Sequence, residues 1–160
     1  MSREQLRLLL VAEKRALEEE LPTISGVDEE IVQIQRLTGG ISHVDVLGGA
    51  EQPGGAVLDQ VSKRMQHVNV VHLACHGIQS EDPLESGFCL SDGRLTVGKL
   101  MDMDLPHAFL AFCSACETGK GDKDQPDQAL HLASAMLFAG FTHVIATMWY
   151  LMLCLSLIHI

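Results

Sequence analysis

Positive charge is scarce in this 160-residue chain: 11 Lys and Arg face 21 Asp and Glu, a formal net charge of -10 with histidine neutral. That balance repels phosphate backbones and argues against nucleic acid as a partner. No export signal is expected either, because the apolar run from Leu8 to Val11 is cut off at once by Glu13 and Lys14. The five cysteines show no even disulfide spacing, so reduced thiols and a cytoplasmic setting are expected. No segment reaches membrane length: the apolar tail Leu151 to Ile160 is ten residues, whereas a spanning helix needs about 20. Internal repeats are absent too. What is present, 47% apolar and 20% charged residues, is the balance of one globular domain with room for a core.

Periodicity divides the chain into short elements. Ser2 and Gln5 form a capping-box start, and Leu6, Leu9, Leu10, Leu17 and Leu21 trace a loose helical stripe ended by Pro22. This predicts a helical segment over residues 1–25, with no strand ahead of Asp28. Asp28 is then read as the cap of a helix carrying Ile31, Ile34 and Leu37, stopped by Gly39-Gly40. Ser42 to Leu47 has a strand pattern, and Gly48 to Gly55 is turn-rich. Val57, Leu58, Val61 and Met65 recur at helical spacing before the apolar run Val68 to Ala74. Phe88 to Leu90 and Arg94 to Thr96 can pair as a hairpin around Asp92-Gly93, with a short helix over Val97 to Met103. His107 to Cys113 is another strand, Pro126 opens a helix ended by Gly140, and Thr142 to Thr147 is a third strand. Apolar strands alternating with helices predict an α/β fold with a mostly parallel sheet covered on both faces.

Open parallel sheets gather ligands at the carboxyl ends of their strands. The run Val70 to Cys75 delivers His76 and Gly77 at its tip, and the run Phe109 to Ala115 delivers Cys116. If the two strands are neighbours, imidazole and thiol emerge on one edge, where a base raises the thiolate fraction of a nucleophile. Gly77 lets a carbonyl approach the backbone, and its N–H with that of Cys116 can hold an oxyanion. The order of the pair and its forty-residue separation (116 minus 76) make it more specific than either residue alone.

His72-Leu73-Ala74-Cys75-His76-Gly77 and Ser114-Ala115-Cys116-Glu117-Thr118-Gly119 resemble the two signature segments of CHAT domains, in the caspase-like peptidase clan. The helix Asp127 to Ala133, the step Ile145 to Trp149, and Glu85 to Phe88 with Asp92 and Leu95-Thr96 continue the resemblance. It implies a three-layer caspase-like sandwich over residues 26–150, with His76 as general base and Cys116 as nucleophile of a cysteine-type endopeptidase. Gly77 and Cys116 amides would hold the oxyanion, and no metal or organic cofactor is required. A protein or peptide is the implied substrate, with room for a regulatory protein partner, and neither nucleic acid nor membrane is expected. Such domains open with a strand and continue beyond the Met-Trp step, so the chain is expected to be incomplete at its ends, with 151–160 an atypical tail. A catalytically inactive signalling or interaction module of the same fold is the alternative.

Plainer roles stand beside these. A strand-end histidine can simply be bonded to backbone, and a lone cysteine is most often a small buried residue. Cys113-x-x-Cys116 with Cys75 and His76 also has the residue types of a metal or redox site, although Cys113 suits a buried apolar slot. His72, two residues from Ala74 and four from His76 on the same strand face, reads as a core histidine. Glu117, Asp122, Asp124 and Asp127 can face a basic substrate residue, or serve as a solvated loop and a helix start. Arg94 and Lys99 have equally little support as receptors for an acidic one.

Overall fold

A computed structural model describes residues 6–15, 21–41, 43–50, 52–114 and 128–146, with backbone alone for 128–131. Its first element overturns the N-terminal helix. Residues Arg7–Ala12 form strand β1, with Leu8 to Ala12 all buried. Leu8, Leu10 and Ala12 face one side of the sheet, and Leu9 and Val11 the other. That is the two-residue period of a strand clad on both faces, where leucine's helix propensity is overruled by burial.

Helix α1 (Val27–Leu37) follows, starting from Gly26 at φ 85 and not from Asp28, which sits in its first turn. Strand β2 (His43–Gly48), helix α2 (Leu58–Met65) and strand β3 (Val70–Ala74) come next. The polar middle of the chain supplies β4 (Gly77–Ile78), β5 (Gly87–Cys89) and β6 (Arg94–Thr96), then helix α3 (Val97–Met101). Strand β7 (Leu110–Cys113), helix α4 (Gln128–Phe138) and strand β8 (His143–Ala146) close the described chain. The expected hairpin around Asp92-Gly93 is present as β5 and β6, paired antiparallel. The two-residue strand β4 beside it carries no sequence pattern and adds a third strand to this small sheet.

The main sheet has the order β2-β1-β3-β7-β8, and every pairing in it is parallel. Helix α1 covers one face through Val27 and Ile31. On the other face Val61 and Met65 of α2, Leu100 of α3, and Ala135 and Met136 of α4 join one core with Leu9, Val11, Val71 and Leu73. Three layers result, as the alternation of elements predicts. From β1 the chain steps outward to β2 and then back across to β3 on β1's other side. The carboxyl ends of β1 and β3 therefore flank a point where strand order reverses, the usual place for a ligand in such sheets. Among the described residues, no helix is long and apolar enough to cross a membrane.

Candidate active site

Strand β3 ends one residue short of Cys75, and the chain turns through His76 into the small sheet. His76 is held from both sides. Its carbonyl accepts the N–H of Cys89 on β5 (2.8 Å), and its ring nitrogen Nε2 lies 2.8 Å from the carbonyl oxygen of Pro22. A carbonyl can only accept, so Nε2 carries the proton of that bond and Nδ1 is the acceptor nitrogen of the neutral ring. The ring is fully buried. Pro22 is brought there by the pairing of its segment with the end of β1: Ile24 N–H donates to Lys14 O (2.9 Å). The orienting acceptor is a main-chain oxygen 54 residues away, so side-chain identity carries no hint of it.

Gly77 opens β4 opposite Phe88. Because Cys89 N–H bonds to His76 O, Gly77 and Phe88 form a non-hydrogen-bonded pair of the antiparallel ladder. The Gly77 N–H thus points away from β5, out of the small sheet.

Strands β3 and β7 are neighbours, in the register Val70↔Leu110 through Leu73↔Cys113, and Ser114 N–H continues it to Leu73 O (2.9 Å). Cys116 lies outside the described residues, as do Glu117, Asp122, Asp124 and Asp127. The apolar tail 151–160 lies outside them too.

The other candidates resolve into supporting parts. His72 is buried on the α1 face, its ring stacked on Phe112 (centroids 5.0 Å apart) and its Nε2 3.0 Å from Glu30 Oε1. That contact is close enough for an ion pair, although it is off the line of a hydrogen bond. His72 is thus a core histidine that ties α1 to the sheet. Arg94 donates to Glu85 O (3.1 Å) and Lys99 to Arg94 O (3.0 Å), which braces the hairpin. Cys75, Cys89 and Cys113 are buried thiols outside any disulfide. Burial, with smaller contributions from Cys89, Cys113 and Glu13, pushes the Cys75 thiol well up, and burial pushes Cys113 up to about 12. Neither is a thiolate near neutral pH, so both behave as small apolar residues. Among the described residues, no group of three or more His, Cys, Asp or Glu is placed to hold a metal.

Compared with known families, the sequence matches the model of the CHAT domain over residues 2–152. The chain belongs to the CHAT domain family. No curated protein matches the sequence. CHAT domains are caspase-like and peptidase-related, and the parallel sheet clad on both faces agrees with that architecture. The CHAT match begins ahead of β1, so the strand whose leucines suggest a helix lies within the matched region.

Proposed function

We propose that this CHAT domain is a cysteine-type endopeptidase in which His76 is the general base and Cys116 the nucleophile. The observation that carries the reading is the setting of His76. It stands at the carboxyl end of β3, beside β7, with Nε2 committed to a backbone carbonyl. In the described register Val70 to Leu73 each face the β7 residue forty positions later (110 minus 70), the same separation as between His76 and Cys116. In the mechanism Nδ1 takes the thiol proton. The Pro22 carbonyl holds the ring in that tautomer and steadies the imidazolium that forms, the role a buried acceptor plays behind any catalytic histidine. The thiolate attacks the scissile carbonyl, and the outward Gly77 N–H with the Cys116 N–H stabilises the oxyanion. The imidazolium then protonates the leaving amine, and water hydrolyses the acyl-enzyme.

The complete burial of His76, with its bond to backbone, also suits a second reading: a non-hydrolytic interaction module that keeps the fold. A thiol-directed electrophilic peptide separates the two. Labelling is measured by mass spectrometry on wild type, Cys116→Ala and His76→Ala. The peptidase reading expects one label, on Cys116, with a rate at least about a hundredfold lower in His76→Ala, the range of general-base catalysis. Labelling of Cys116 at the same rate without His76 would leave only the interaction module.

A further inference from the structure

Beside His76, on the same edge of the sheet, the ends of β1 and β2 and the turn of the hairpin enclose a half-open cleft of about 590 Å³. That is the size of a site for a side chain or small ligand. Its lining includes Glu13, Lys14, Arg15, Gln52, Gly55 and Ser91. Glu13 follows β1 directly and is 6% exposed. Its Oε2 accepts the Ala56 N–H (3.0 Å) and its Oε1 the Arg15 N–H (3.2 Å). Each oxygen retains acceptor capacity, and among the described residues no cation pairs with the carboxylate. Buried charges are ordinarily paired. The hydroxyl of Ser91 is a further polar group here: its Oγ is buried and makes no hydrogen bond among the described residues. Both groups border the space over Gly55. A Cβ there would lie 2.4 Å from Glu13 Oε2 and 2.5 Å from Ser91 Cβ, so both residues pack against the glycine, whose φ of 80 also disfavours a side chain.

The positive groups of the cleft do not offset Glu13. Lys14 is committed to Asp28. Arg15 is exposed, where solvent screens it. An anionic ligand would also find many loop amides already engaged. Gly48 N–H goes to Gln52 Oε1, Gly49 N–H to Ala12 O, Gly55 N–H to Gln52 O, and Leu58 N–H to Asp92 Oδ1.

We propose that this cleft is a subsite for a basic side chain, arginine or lysine, of a bound peptide, received by Glu13 and Ser91. The proposal rests on the peptidase reading for its link to a substrate, since the Ile24 N–H to Lys14 O bond joins the cleft to the Pro22 carbonyl on His76. The net charge of -10 also draws cationic peptides.

The test is calorimetric binding to the full chain carrying Cys116→Ala, which removes the proposed nucleophile, so occupancy of the cleft is read without turnover. Three capped tetrapeptides differ at one position: arginine, its neutral isostere citrulline, or aspartate. The arginine peptide is expected to bind at least about tenfold more tightly than the citrulline peptide, a preference lost in Glu13→Gln and reduced in Ser91→Ala. Equal affinity of arginine and citrulline peptides for the Cys116→Ala chain would overturn the proposal without needing any cleft variant to fold. Tightest binding of the aspartate peptide would overturn it in favour of Arg15.

Discussion

Burial at Cys113 has a measurable consequence. The thiol is 2% exposed and pushed up to about 12, against 9.0 for the unperturbed group. Between those values the unfolded chain has lost a proton that the folded chain keeps. Stability therefore falls as pH rises through the window, by at most about 1.4 kcal/mol per unit. Below pH 9 the contribution is fully present. Urea unfolding of wild type and Cys113→Ala at about pH 8 and about pH 10 checks this: the difference between the two proteins is expected to narrow by about 1 kcal/mol at the higher pH. An unchanged difference would place Cys113 in contact with solvent. At this scale the sequence is readable where chemistry and strand position coincide, as at His76 and Gly77. It is silent where an orienting contact comes from the main chain, as at Pro22 O. Glu13 is legible only as a charge ending an apolar run, because its burial depends on the later loops that close over it.

Among the elements, β1 and the hairpin mark the two extremes of legibility. Asp92-Gly93 between two short apolar runs is a local signal, and the turn it specifies is closed by the Leu90 N–H to Gly93 O bond (2.8 Å). The six residues of β1 have no local signal, since a strand buried on both faces does not alternate and its leucines also fit a helix. Its identity comes from pairing with β2 and β3 far along the chain. Leu10 tests the assignment. It is fully buried between the sheet and α1, in register with Val46 and His72. In a packed core strand Leu10→Ala costs about 2–5 kcal/mol, the sum of lost transfer energy and the cavity left behind. Urea midpoints measure that loss. A change under about 0.5 kcal/mol, the range of surface substitutions, would show that the segment is not a core strand. Because β1 also leads into Glu13 and the Lys14–Ile24 contact, Leu10→Ala is expected to slow labelling of Cys116 as well.

For the whole molecule, the parallel sheet follows from the spacing of apolar runs, and the family from the sequence segments around His76 and Cys116. What spacing cannot give is strand order, because crossover connections leave no trace of which side of β1 the third strand joins. That order, β2-β1-β3-β7-β8, puts the cleft at Glu13 and the ring of His76 on one edge of the sheet. The charge of the chain then acts on both together. With a formal charge of -10, the protein surrounds this edge with a field that concentrates cations and repels anions, over a distance set by salt. The Debye length shrinks from about 30 Å at 0.01 M to about 3 Å at 1 M, so approach is steered at low salt and unsteered at high salt, while buried contacts are barely screened. Two electrophilic peptides of equal length, one carrying arginine and one citrulline, separate these contributions. The second-order labelling rate of Cys116 by the arginine probe is expected to fall about tenfold across that salt range, and that of the citrulline probe to change little. A preference for arginine that survives at about 1 M salt is the part owed to the buried carboxylate of Glu13. If the preference vanishes entirely with salt, the net charge alone accounts for it and the cleft makes no contribution.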